Sequence, residues 1–199
     1  MFKGISAHIA DLLVKNKTIT NNEHEVYCFG IQQGLNILLN LITILFFGIV
    51  FGEIWQSIVF TIAYIPLRSY AGGFHAKTPT RCYVFSCCLI AAVLLAIKYL
   101  LIEDFIYSSL LASGGIIAIL LAPVDTVNKR LDQAEIRVYR NRTLTVIALE
   151  TVAYVLSITF SAEMIYKPIS LSFVSAAFML ILGMIDNHRK MKYGNNKCK

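Results

Sequence analysis

Apolar residues fall into six long runs divided by short polar segments, roughly 26–51, 54–67, 83–101, 105–124, 144–161 and 169–185. About 20 apolar residues in a helix suffice to cross the hydrocarbon core of a bilayer. The pattern therefore predicts an all-α fold, a polytopic membrane helical bundle of six transmembrane helices. The second run is short and contains Pro66, which frees the carbonyl of Ile62 and predicts a kink. That helix must extend to Tyr70 or tilt against its neighbours. Ahead of the first run, Phe2, Ile5, Ile9, Leu12 and Leu13 recur at helical spacing opposite Lys3, Asp11 and Lys15. This spacing fits an amphipathic interfacial helix, or one packed on the underside of the bundle. The chain thus reads as one domain: an amphipathic segment (1–22), a six-span bundle (23–186) and a basic tail (187–199).

Charge adds an orientation. The chain is 57% hydrophobic and 15% charged, and sixteen of its 18 Lys and Arg flank one side of the predicted bundle. Only Lys98 and Lys167 fall on the other, beside Glu53, Glu103, Asp104 and Glu163. The positive-inside rule places both termini in the cytoplasm, with the segment between the second and third runs. Residues 1–20 lack the compact apolar core and small-residue cleavage site of a signal peptide. Basic loops of this kind attract anionic inner-leaflet lipid or an acidic peptide. No folded basic domain or stacking platform accompanies them, so they do not point to nucleic acid.

The chemistry concentrates in the polar stretch from Arg68 to Cys82. His75 and Cys82 stand seven residues apart between two apolar runs, an acid/base and a candidate nucleophile at a membrane edge. Thr78 is a plausible N-cap and Pro79 a plausible first helical residue, which puts Cys82 in the first turn of the next helix. There the helix dipole and Arg81 both favour a thiolate. Gly72-Gly73 suits a tight turn or an oxyanion-binding nest. A dyad is one reading. A turn made by Gly-Gly, a capping His75 and a small packing Cys82 is the other.

Polar residues also enter the spans. Gln33, Asn36 and Asn40 share one face of the first helix, where they bond across helices or line a groove reaching the active loop. Glu150 lies about two turns into the fifth span, with the Gln/Asn stripe or the Tyr154 hydroxyl as candidate partners. Gly48-x-x-x-Gly52 and the run Ala112 to Gly115 permit close helix approach, either within the chain or in a homodimer. The five cysteines, Cys28, Cys82, Cys87, Cys88 and Cys198, fall on the cytoplasmic side and make no disulfide framework. No second ligand pair at zinc spacing accompanies His75 and Cys82, so neither a metal nor a cofactor is implied.

Arg68, then Gly72-Gly73-Phe74-His75-Ala76, then Cys82, resembles the central signature of the accessory gene regulator B (AgrB) family. Ala122-Pro123 followed by Asn128-Lys129-x-Leu131 resembles a second element of it, with Arg130 where Pro is more usual. These are membrane cysteine endopeptidases of bacterial peptide quorum sensing, and the resemblance covers essentially the whole chain. It implies a short propeptide substrate with an amphipathic leader, a central signal segment and an acidic C-terminal tail. His75 would act as general base and Cys82 as nucleophile, forming an acyl thioester that an internal Cys or Ser of the substrate resolves into a thiolactone or lactone. Gly72 and Gly73 would be oxyanion candidates; Arg68, Lys77, Arg81, Lys129 and Arg130 would suit the acidic tail. The alternative from the residues alone is a small peptide transporter, with His75 and Glu150 as pathway groups, or a membrane scaffold.

Overall fold

The computed structural model describes residues 2–74, 78–100, 103–124 and 132–194, with side chains to residue 189. The described elements are α1 (Lys3–Lys15), a 3-10 turn (Asn21–Glu23), α2 (His24–Phe51), α3 (Ile54–Ala71), α4 (Pro79–Tyr99), α5 (Asp104–Leu121), α6 (Gln133–Thr159) and α7 (Glu163–Gly194). Among the described residues the one extended feature is an isolated parallel bridge between Gly72 and Val124.

Five helices, α2, α4, α5, α6 and α7, are long and apolar enough to cross a membrane by length and composition. The second of the six predicted spans, α3, is not among them. Its place in the bundle explains why it can be less apolar. It packs against α2, α6 and α7, and its Ser57, Thr61 and Leu67 are buried. A helix surrounded by helices can carry Ser and Thr whose hydroxyls bond its own backbone, as Thr61 does to the Ser57 carbonyl at 2.7 Å. Pro66 sits inside α3 without ending it, and the helix runs on to Ala71.

The most enclosed helix is α7. Its Tyr166, Phe173, Ala176 and Leu180 meet Leu67 and Ala71 of α3, Tyr107 and Ala118 of α5, and Tyr154 of α6 in one core. Gly114 allows α5 to reach α7, since a Cβ there would lie 2.7 Å from the Phe173 carbonyl carbon. Gly48 does the same for α2 and α3, with Ser57 Oγ 2.5 Å from the position of its Cβ. Gly52, at φ +74°, caps α2 in the left-handed region. Both small-residue motifs thus serve contacts within the chain. Large apolar side chains such as Phe29, Phe46 and Ile49 of α2, Leu120 of α5 and Leu149 of α6 point outward. That outward apolar surface is what a helix bundle presents to lipid.

α1 folds back as a hairpin on the first turns of α2. Ser6 Oγ lies 3.5 Å from Cys28 Sγ, and Asp11 Oδ1 is 2.8 Å from His24 Nε2. The face it buries is small, Ser6 and Ala10, while Ile5 and Leu12 stay exposed.

Two boundaries differ from the sequence reading. The polar stretch predicted as loop ahead of the fifth span is helical from Gln133. A capping box starts it, with the Asp132 carboxylate accepting from the Glu135 amide at 2.7 Å. The predicted basic tail begins as a continuation of α7, which runs to Gly194.

Cross-helix bonds fix which ends lie together. Lys98 Nζ donates to the Phe51 carbonyl at 2.6 Å, and Tyr166 donates to Asp104. At the opposite end the Val124 amide donates to the Ala71 carbonyl and the Phe74 amide to the Met179 carbonyl, each at 2.9 Å.

Candidate active site

Cys82 is placed by the start of α4. Thr78 is extended at φ −131° and ψ 145°, its Oγ1 accepts from the Arg81 amide at 3.4 Å, and Pro79 opens the helix. The Cys82 amide closes the first turn onto the Thr78 carbonyl at 3.1 Å. Cys82 is exposed, as is Arg81 beside it. Thiol, basic side chain and the positive end of the helix therefore converge on one exposed turn.

The segment preceding His75 is held from three sides. Gly72 and Gly73 adopt φ +79° and +117°, conformations that favour glycine. A Cβ on Gly72 would lie 2.3 Å from the Val124 carbonyl oxygen, and one on Gly73 would lie 2.7 Å from that of Met179. From α7, Gly183 completes the contact, because its Cβ would sit 2.6 Å from the Gly73 carbonyl carbon. The guanidinium of Arg68 donates to the carbonyls of both Gly72 and Phe74. The Phe74 ring rests 6.0 Å from that of Phe85, one turn along α4 from Cys82. Arg68 is thus a clamp on the Gly72–Phe74 backbone. The Gly72 amide, an oxyanion candidate from sequence, instead donates to the Arg68 carbonyl at 3.2 Å. His75 and Lys77 lie outside the described residues, as do Asp125, Lys129 and Arg130.

The bridge from Gly72 to Val124 brings together two sequence motifs about fifty residues apart, the Gly-Gly block and the Ala122-Pro123 segment. Sequence reasoning missed Met179 and Gly183. A lone glycine in an otherwise apolar helix was the available signal.

A cavity of about 370 Å³ lies between α2, α3 and α4. On α4 its lining residues include Ser86, Leu89 and Ile90, which are four, seven and eight positions beyond Cys82. At 3.6 residues per turn Ser86, Leu89 and Ile90 share a helix face with Cys82 one turn earlier; Cys82 itself does not line the cavity, whereas Cys87 does. Ser86 Oγ also donates to the Cys82 carbonyl at 3.1 Å. From α3 come Thr61, Tyr64 and Arg68, again at helical spacing. The Tyr64 hydroxyl is within electrostatic reach of both Arg68 and Cys82. From α2 come Gln33, Asn40 and Ile44. Asn36 does not line the cavity; its carbonyl accepts from Asn40 Nδ2 at 2.8 Å, a bond within one helix and not across two.

Glu150 stands apart from this cavity. The predicted partner Tyr154 pairs instead with Ser108, hydroxyl to hydroxyl at 3.0 Å. One oxygen of Glu150, Oε2, is buried with no hydrogen-bond partner among the described residues. The cross-helix bond expected for Glu150 is therefore not made by that oxygen.

A family model described as accessory gene regulator B matches residues 6–181. An AgrB-like protein 2 of Clostridium perfringens (strain 13 / Type A) is 26% identical over 185 residues, 87% of this chain and 86% of that protein. An AgrB-like protein of C. perfringens strain SM101 is 24% identical over 136 residues, 65% of this chain and 64% of its own length. Protein FsrB of Enterococcus faecalis (strain ATCC 47077 / OG1RF) is 26% identical over 167 residues, covering 81% of this chain and 67% of that protein. No solved structure matches the chain.

Proposed function

The chain belongs to the accessory gene regulator B family, and from that premise we propose that it is a membrane cysteine endopeptidase that matures a quorum-sensing propeptide. Six helices cross the cell membrane, with both termini and the Cys82 turn at the cytoplasmic face. The substrate is a short peptide with an amphipathic leader on the inner leaflet and an acidic C-terminal tail. His75 takes the Cys82 proton, and the thiolate attacks the carbonyl that precedes the tail. The tail leaves as a free amine that accepts the proton from His75, and the signal segment stays on Cys82 as a thioester. An internal Cys or Ser of the substrate then attacks the thioester, closing a thiolactone or lactone ring and releasing the Cys82 thiolate.

The observation that carries this reading is the position of Cys82, exposed on a capped first turn one helical turn from the cavity lining at Ser86. Arg81, with Lys77, Lys129 and Arg130, supplies positive charge for the acidic tail. The exposed arginines Arg137 and Arg140 on the polar start of α6 suit anionic lipid. The Gly72–Phe74 backbone, which precedes His75 in the sequence, has two carbonyls gripped by Arg68 and the Phe74 amide held by Met179.

The test uses Cys82→Ala and His75→Ala in membranes with a synthetic propeptide. Both should insert at wild-type levels and lose cleavage, and an acyl adduct should be trapped on Cys82 when the substrate's internal Cys is replaced by Ala. Cleavage that survives Cys82→Ala would return the chain to the transporter or scaffold readings.

A further inference from the structure

We propose that the cavity between α2, α3 and α4 is the subsite that receives apolar side chains of the peptide segment acylating Cys82. The proposal rests on the reading of Cys82 as nucleophile and adds what the enzyme selects. Three observations carry it.

The first is continuity. The lining residues Ser86 and Ile90 stand four and eight positions beyond Cys82 on α4, and at about 1.5 Å per residue the cavity wall begins roughly one turn along the helix from the thiol. A peptide whose carbonyl carbon reaches the Cys82 sulfur has its neighbouring side chains at the mouth.

The second is the chemistry of the depth. Ile44, Phe60 and Ile90 make the wall there apolar. Three of the polar groups in the lining bond their own helix. Thr61 Oγ1 donates to the Ser57 carbonyl at 2.7 Å, Thr43 Oγ1 to the Leu39 carbonyl at 2.8 Å, and Asn40 Nδ2 to the Asn36 carbonyl at 2.8 Å. About half of the lining residues are apolar, and the charged one, Arg68, is held on the carbonyls of Gly72 and Phe74, which favours aliphatic and aromatic occupants. Gln33 and Ser86 also line the cavity and offer polar groups to peptide main chain.

The third is size. A cavity of about 150 Å³ lined by Leu, Ile and Phe accepts one benzene ring. At about 370 Å³ this one holds roughly two groups of that size. The space exists because α3 and α4 make few contacts with each other there and leave the gap to α2.

The experiment needs no natural substrate. In a variant with Cys28, Cys88 and Cys198 replaced by Ser and Cys87, a lining residue, replaced by Val to keep that wall apolar, held in lipid nanodiscs, Cys82 is alkylated by peptidyl chloromethyl ketones ending in Leu, Phe, Ala or Asp. Each rate is divided by that for iodoacetamide, which requires no subsite. The expected result is a normalised rate at least ~10-fold higher for Leu and Phe than for Asp, within the range that one apolar contact supplies. Filling the cavity by Leu89→Phe or Ile44→Phe should bring this ratio to within about twofold of unity while Ala keeps reacting. A flat profile in the parent, or selectivity untouched by both fillings, overturns the subsite; the latter is the outcome if the cavity holds only a lipid chain. Failure of the nucleophile reading is seen separately, as a pH profile for iodoacetamide that is unchanged by His75→Ala. Apolar selectivity that persists in that case supports the subsite alone.

Discussion

At the residue scale the candidate site is decided by backbone as much as by side chains. Gly73 and Gly183 face one another across a contact that admits no methyl group on either side. Gly73→Ala adds a Cβ at φ +117° and drives it against the Met179 carbonyl, at an expected cost of about 1–3 kcal/mol or more. Gly183→Ala keeps helical geometry and costs through overlap alone, again about 1–3 kcal/mol. Both variants should unfold at lower temperature and lose the His75-dependent part of Cys82 alkylation. Gly34→Ala on α2, where a Cβ meets nothing within 4 Å, should be neutral or gain up to about 1 kcal/mol from helix propensity. Equal melting temperatures for the three variants would sink this account. The Gly-Gly turn was legible in the sequence, because paired glycines are uncommon enough to stand out. The Met179 carbonyl was not, since any residue in a helix offers the same group and only the fold says which one is met.

At the element scale, the first turn of α4 is what places Cys82. Thr78 and Pro79 announced that turn, because an N-cap and a first-position proline are local signals needing no tertiary partner. The cap bond is long, 3.4 Å, so Thr78→Ala should cost near the low end of about 0.5–2 kcal/mol. Hydrogen exchange at the amides of residues 80–83 should quicken in Thr78→Ala and recover in Thr78→Ser. Unchanged exchange would mean that bilayer and neighbours, not the cap, hold the turn. The start of α6 was misread as loop although Asp132 and Glu135 spell a capping box. A search for apolar spans sees where a helix enters lipid; it does not see where a polar helix begins outside it. The polar stripe on α2 was similarly half-legible: helical spacing put Gln33, Asn36 and Asn40 on one face, but only packing separated the two that line the cavity from the one that does not.

At the scale of the whole molecule the question is whether α3 crosses. Its composition is marginal, yet its ends are tied to opposite ends of the bundle. Gly52 and Glu53 lead into it beside the α2 terminus, where Lys98 reaches the Phe51 carbonyl. At its far end Ala71 bonds Val124, and Phe74 just beyond it bonds Met179. Eighteen residues rise about 27 Å, close to the roughly 30 Å hydrocarbon core. A helix that traverses the bundle end to end crosses whatever membrane its neighbours cross, and its Ser and Thr residues are tolerated because helices cover them. On the proposed topology of six crossings, Cys82 falls on the side of the termini, the side that the positive-inside rule expects to be cytoplasmic. The check is labelling of single cysteines in intact cells with a membrane-impermeant maleimide. Phe160→Cys, at a position 81% exposed between α6 and α7, should react from outside, as should Glu103→Cys. Cys82, and Cys introduced at Thr20, should react only after the membrane is opened. Labelling of Cys82 from outside while Thr20→Cys stays protected would mean that α3 turns back within the bilayer, and a propeptide on the inner leaflet could not then reach the thiol.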